Sequence, residues 1–250
     1  VFDGMGGYGG SEEASRFVAE FCADALQNES TATPPEAMRM RLQYVLEQAQ
    51  EAFMETYRTR TQRIGTTAIL ASIVTDPESN VPYACFAYAG DSRGHIYRND
   101  QAVFTTLDHG ISSDLPLAEQ REIQNELAAA LYSADIDPYY LPYLYQRNII
   151  TSSFSNSSRS RFVVDSFIEP LTSGDKLLVT SDGIHDNLTA AEIGAVLAGS
   201  PQAAQALVAD AKKRSREPRN QIRYIDGEPH EALYFRPKPD DVTAVVLSVQ

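Results

Sequence analysis

From Ala14 to Leu26 the apolar positions are Ala14, Phe17, Val18, Phe21, Cys22, Ala25 and Leu26. This i, i+3, i+4, i+7 spacing predicts an amphipathic helix, with Ser11 as its N-cap. A second helix is predicted after Thr33, with Pro34 in its first turn, running to about Tyr57. Its inner stripe is Met38, Leu42, Val45, Ala49 and Phe53. The period then shortens. Thr66 to Val74 and Tyr83 to Gly90 read as strands, and RGHIYR and AVFTT follow, split by a turn at Asn99-Asp100. From about Pro116 to Tyr145 the pattern is helical or irregular, with Pro138 and Pro142 as breaks. FVVDSFIEPL, KLLVTSD and VTAVVLSV are further strands. Two helices, at roughly 189–199 and 201–215, separate the last two, and a long loop leads to Pro237.

Strands clustered as meanders, with helix pairs between the clusters, predict a layered arrangement of helices on antiparallel sheets. The alternating rhythm of a doubly wound parallel sheet is absent, and no internal repeat is visible. Ser152 to Arg161, SSFSNSSRSR, is one low-complexity stretch and is expected to be a mobile loop.

At 250 residues and 43% apolar the chain can bury a substantial core. It has no apolar run of the ~18 residues that a membrane span needs and no visible secretory signal. A formal net charge of −13 disfavours nucleic acid as a general partner. Cys22 and Cys85 both lie in apolar patterns, which predicts buried free thiols in a reducing, cytoplasmic compartment. Two cysteines are too few for a thiolate zinc site.

The candidate chemistry lies in three acidic motifs: Asp3-Gly4, Asp182-Gly183 in LLVTSDGIHD, and Asp240-Asp241 in KPDDVTAVVL. Each adjoins a strand-like run, and carboxylates at strand ends converge when distant strands lie side by side. Converged carboxylates repel unless a cation sits among them. Hard oxygen ligands suit magnesium, manganese or calcium. The acids are read as having no matching basic residue in their motifs. The glycine-rich DGMGGYGG fits neither G-x-G-x-x-G nor the lysine-containing phosphate loop. Its glycines suit a tight turn into the first helix, with Asp3 as ligand and Gly4 offering its carbonyl. Asp91 in AGDSRGHIYR is either a ligand or a residue of a hairpin turn. Asp186 could be a helix N-cap; Asp182, at the end of a buried strand, is harder to explain that way. Lys212, Lys213, Arg214, Arg216 and Arg219 form a basic stretch, read as a solvated helix end ahead of a site that recruits an acidic or phosphorylated partner.

DGMGG, GTTAILASI, AGDSRGHIYR, TLDHG, SGDKLLVTSDGIHDNL and PDDVTAVVL occur in that order. In this they resemble the metal-dependent protein serine/threonine phosphatases of the PPM, or type 2C, family, and the DGMGG form resembles bacterial members. The resemblance spans nearly the whole chain. It implies an α+β fold, a four-layer αββα sandwich of two packed antiparallel β-sheets flanked by helices, with residues 1–250 as one phosphatase domain. It implies two Mn²⁺ or Mg²⁺ ions. Asp3 would bridge them, the Gly4 carbonyl would bind the second, and Asp182 and Asp240 would hold the first. Asp3, Asp182 and Asp240 are thereby the catalytic set. Asp91 and Asp186, with Asp182, match a weaker third metal position, and Asp241 stands where Asn is usual. A water bridging the first two ions would attack phosphorus, without a phosphoenzyme. Met5 replaces a His found in animal members. His109 matches a recurrent position, with a structural hydrogen-bonding role preferred over a catalytic one. Residues 111–147 match the flap of bacterial members, or else are ordinary packed helices. The implied partners are phosphoproteins carrying phosphoserine or phosphothreonine, including a protein kinase or its targets. A pseudophosphatase acting as a regulatory binding module is the alternative. The family's first strand, with an acid and a phosphate-binding Arg, has no counterpart before Asp3; the expectation is a chain that extends upstream.

Overall fold

Alternation along β4 (Pro82–Ala89) decides the layering. Ala84, Phe86 and Tyr88 pack with Ile96, Leu177 and Val179, whereas Cys85, Ala87 and Ala89 pack with Val18, Leu42 and Phe53. Successive side chains of a strand point to opposite faces, so one strand face meets a second sheet and the other meets two helices. The computed structural model describes residues 1–5, 9–27, 33–157, 161–225 and 228–249, with side chains described outside 220–232. The predicted turn at Gly6 and Gly7, and the Ser158–Ser160 part of the predicted mobile loop, lie outside the described residues.

The chain opens with β1 (Gly4–Met5), α1 (Ser11–Leu26) and α2 (Pro35–Tyr57). All five residues of the predicted stripe of α2 are buried, with Leu46 added. Ser11 is not the N-cap of α1. It is the first helical residue, and Gly10 occupies the cap position at φ 95°, a left-handed conformation suited to glycine. β2 (Gly65–Thr66), β3 (Ala68–Thr75) and β4 come next, then β5 (Arg93–Arg98) and β6 (Gln101–Thr105). The predicted Asn99-Asp100 turn joins the last two, with φ 48° and 66°.

α3 (Leu117–Ala129), a 3₁₀ turn at Ser133–Asp135 and α4 (Leu141–Tyr145) fill the region predicted as helical or irregular. Pro142 does not break α4; it stands near its start. β7 (Phe154–Ser155), β8 (Asp165–Pro170) and β9 (Lys176–Thr180) lead to a four-residue helix, α5 (Asp182–His185). Then come α6 (Ala190–Gly199), α7 (Ala203–Arg214), β10 (Asn220–Ile225), β11 (Glu228–Leu233) and β12 (Ala244–Ser248). The long loop predicted before Pro237 is instead a hairpin of β10 and β11.

One sheet has the order β3-β4-β8 and the other β12-β9-β5-β6, all pairs antiparallel. α1 and α2 cover the first, and α6 and α7 cover the second through Tyr97, Leu178, Ile193 and Leu207. The Phe86–Phe104 stack, with ring centroids 5.6 Å apart, lies between the sheets. This is the αββα sandwich expected from the resemblance. Both cysteines are free and buried, as predicted. Among the described residues no helix is long and apolar enough to cross a membrane.

Candidate active site

Strand register gathers the acids. Thr180, the last residue of β9, pairs with Arg93 at the start of β5 and with Ala244 at the start of β12. Asp182 follows the first of these closely, while Asp91 and Asp240 precede the other two. All three therefore emerge at one end of the same sheet. Asp3 arrives from the other sheet. Val1 and Asp3 bond along the start of β3, with Ile69 N–H donating to the Val1 carbonyl at 2.9 Å and Thr67 N–H to the Asp3 carbonyl at 2.8 Å. A Thr67–Ser92 hydroxyl contact of 2.7 Å ties the two sheets at this end.

Asp91 does not sit in a hairpin turn. β4 and β5 belong to different sheets, so Gly90–Ser92 is the crossing between them. Asp182 does not end the strand; it opens α5, with Ser181 at the cap position. Asp186 is the C-cap of that helix rather than an N-cap, and its N–H donates to the Asp182 carbonyl at 2.8 Å. The two carboxylates thus share one helical face, four residues apart. The two Asp-Gly pairs have a common reason. A Cβ on Gly4 would lie 2.5 Å from the Ser11 carbonyl oxygen, and one on Gly183 would lie 2.1 Å from that of Asp241. Only glycine lets these backbones approach so closely beside an acid.

Like charges and burial raise the proton affinity of this cluster. Asp3 is pushed up to about 8, first by burial and then by the charges of Asp182 and Asp240. Asp91 and Asp182 are raised for the same reason, burial before neighbouring carboxylates. Asp186 goes the other way. Burial would raise it, but Arg147 and Lys238 hold it well below the usual carboxylate range.

Lys238 is what sequence reasoning missed. Its ammonium pairs with the Asp182 carboxylate, and lies 2.8 Å from Asp186 Oδ2 and 3.4 Å from Asp240 Oδ2. The expectation that the acidic motifs lack a basic residue is therefore wrong. The signal stood in the run KPDD, with a lysine two positions before Asp240. Arg147 also reaches the cluster, its Nε 3.6 Å from Asp186 Oδ2 and its Nη2 donating to the Phe235 carbonyl at 3.0 Å. Arg236, 1% exposed, donates to the carbonyls of Ala130 and His185 at 2.8 Å and of Leu188 at 3.2 Å, and to that of Leu127. It fastens α3 and the end of α5 to the segment that carries Lys238. Neither arginine could be found from spacing, because their partners lie far away in sequence.

His109 stands apart from the acids. Its Nδ1 accepts from Gly90 N–H at 3.1 Å, its Nε2 meets Asp165 Oδ2 at 3.1 Å, and its ring stacks on Tyr88. These contacts match the structural role. In the same motif, Asp108 takes two hydrogen bonds from Arg93, 2.7 and 2.6 Å long. The basic stretch is divided. Arg214 pairs with Glu192 at 2.6 Å, while Lys212 and Lys213 are exposed at the end of α7. Residues 111–147 pack Ala130, Ile136 and Leu144 against Phe235 as a small core of their own.

A hard divalent cation suits the donor set. Asp182 Oδ1 is buried and has no hydrogen-bond partner, and such an atom is costly unless something cationic reaches it. Asp3, Gly4, Asp240 and Asp241 line one polar cleft together with Ser11, Glu12 and Lys212. Among the described residues no three acidic, histidine or cysteine side chains stand ready around one point for a metal. Three of the carboxylates turn toward the Lys238 ammonium.

A family profile described as "Protein phosphatase 2C" matches residues 1–118. The serine/threonine phosphatase stp of Listeria innocua is 25% identical over 198 residues, 79% of this chain and 70% of that protein. Its counterpart from Listeria monocytogenes is 24% identical over the same shares. The S. agalactiae serine/threonine phosphatase superposes with a TM-score of 0.68 at 22% identity, covering 100% of this chain and 86% of the other. The Mycobacterium tuberculosis phosphatase PstP/Ppp gives 0.66 at 20% identity, with the same coverage. Profile, relatives and fold agree in what this chain is similar to: proteins of the protein phosphatase 2C, or PPM, family, bacterial serine/threonine phosphatases among them.

Proposed function

We propose that this chain hydrolyses phosphoserine and phosphothreonine in proteins with the help of Mn²⁺ or Mg²⁺ held by Asp3, the Gly4 carbonyl, Asp182 and Asp240. One observation carries the reading. Asp3, Asp182 and Asp240 come from distant segments to one sheet end, where Asp182 Oδ1 is buried and unpartnered and Asp3 is pushed up to about 8 by burial and its neighbours' charges. Such crowding destabilises the fold without an added cation, and oxygen donors select a hard one. The relatives named above are serine/threonine phosphatases, which supports the substrate class.

When bound, the dications would lower the pKa of water and screen the charge on a phosphoryl group. The chain's own residues do the rest. Asp3 is fixed to the first sheet by its backbone bond to Thr67, whose hydroxyl meets Ser92 at the second, so the relative placement of Asp3 and Asp182 follows the packing of the sandwich. Gly183 allows the Asp241 backbone to close against α5, bringing Asp240 beside Asp182. Lys212 lines the same cleft as Asp3 and Asp240, where it would meet a substrate phosphate. Residues 111–147 form the flap beside the site, tied to it by Arg147. The test is hydrolysis of para-nitrophenyl phosphate and a phosphothreonine peptide with chelator, with Mn²⁺ and with Mg²⁺. Activity that a chelator abolishes and Mn²⁺ restores is expected. Full turnover in chelator, or none with either metal, would overturn the assignment.

A further inference from the structure

Lys238 does more than neutralise a surface acid. Its side chain is 14% exposed, and its ammonium donates to the carboxylates of Asp182 and Asp186 and lies 3.4 Å from Asp240 Oδ2. An ammonium has three donors and no acceptor, so it suits a position among carboxylates. Arg147 comes to the same oxygen of Asp186 from the opposite part of the chain, through the segment that carries α4. Together the two side chains bring two positive charges to the Asp182–Asp186 corner, the charge of one divalent cation. The backbone of Lys238 is itself held on both its N–H and its carbonyl by the Asn187 side chain, at 3.0 and 2.9 Å. Pro239 restricts the chain on the other side. A lysine placed by chance on a mobile loop would have neither constraint.

Resting on the reading of the site given above, we propose that the Lys238 ammonium, assisted by Arg147, is a built-in cation that takes the place of a third divalent ion at Asp91, Asp182 and Asp186. The chain then takes up metal on the Asp3–Asp240 side alone. There the free oxygen of Asp182, Oδ1, remains for a metal, while Oδ2 is committed to the lysine. A monocation on a tethered stem cannot be removed by a chelator. Asp182 and Asp186 would therefore stay aligned on α5 whether or not metal is present. An added dication at this corner would have to displace both Lys238 and Arg147 and leave two buried charges without partners, which opposes its binding.

Equilibrium dialysis of the whole chain against Mn²⁺, counting bound ions per chain, tests this without reference to turnover. Wild type should saturate at two ions. Lys238→Met should take up one more than wild type, and Lys238→Arg, which keeps the charge, should not. If Lys238→Met fails to fold, Arg147→Gln serves as the second variant and should bind an additional, weaker ion. A wild type that binds three ions overturns the inference, as does a folded Lys238→Met that binds no more than wild type. The phosphothreonine assay separates this from the underlying reading. Mn²⁺-dependent activity with three ions bound overturns only the role of Lys238, whereas a wild type that binds no ion and shows no activity overturns both.

Discussion

Asn187 clasps Lys238 by its backbone. Its Oδ1 accepts from Lys238 N–H at 3.0 Å, and its Nδ2 donates to the Lys238 carbonyl at 2.9 Å. The same Nδ2 donates to the Gly183 carbonyl at 2.9 Å, so one amide joins α5 to the segment carrying Lys238 and Asp240. Asn187 is fully buried, and each of these groups would be left without water if the amide were removed. The acid cluster is thus set from beneath by a neutral side chain.

Asn187→Ala should therefore destabilise the protein by about 2–4 kcal/mol, since three backbone groups lose a buried partner at roughly 1 kcal/mol each and desolvation adds to this. Urea denaturation of the two proteins measures it. A loss below about 0.5 kcal/mol would show that the clasp contributes nothing net.

The acids and His109 should separate in their effects. Asp182→Asn or Asp240→Asn should lower turnover on a phosphothreonine peptide by at least ~10²-fold, with little change in folding. His109→Gln should cost far less in turnover, because its contacts are with Gly90 and Asp165 rather than with the acids. Steady-state kinetics at saturating Mn²⁺ decide the matter. Greater damage from His109→Gln than from both aspartate changes would reverse the assignment.

Gly183→Ala is expected to cost about 3 kcal/mol or more, because the new Cβ meets backbone that cannot swing aside. The Asp241 carbonyl oxygen would lie only 2.1 Å from it and the carbonyl carbon 3.0 Å. Gly199→Ala is the control. Nothing lies within 4 Å of its Cβ position, and its φ is not positive. Thermal unfolding should show a large fall for the first and almost no change for the second.

Acid should weaken the fold through His95. Burial, and secondarily Arg93, lower this histidine from the usual 6.5 to about 3. The unfolded chain therefore binds a proton below 6.5 that the folded chain refuses until about pH 3. Stability from this residue is fully present above 6.5 and is lost as pH falls toward 3, by about 3–5 kcal/mol at most. His185, linked to His95 through the Thr180 hydroxyl, is lowered as well and acts in the same direction. Urea midpoints of wild type and His95→Gln across this range should converge as pH falls. Parallel curves would refute the assignment.

The sequence by itself determined most of the elements and marked the acids as candidates. The 3.6-residue period of α1 and α2 and the alternation of β4 are local properties, and each reports which face is buried. The αββα arrangement was legible through the resemblance that six ordered motifs carry, and the same motifs singled out Asp3, Asp182 and Asp240 as candidates. Tertiary structure alone decided the roles around them. Asp91 could be read as a turn residue until β4 and β5 proved to lie in different sheets. Asp182 and Asp186 could be read as strand end and cap until α5 placed them on one face. Lys238, Arg147 and Arg236 carry no periodic signal, because most of their partners lie far away in sequence: 56 and 52 positions for Lys238 with Asp182 and Asp186, 48 to 109 for Arg236, and 39 for Arg147 with Asp186. Which cation answers which acid depends on distance through space. A hydrophobic pattern encodes only the direction of burial, and strand register and helix ends convert that direction into position.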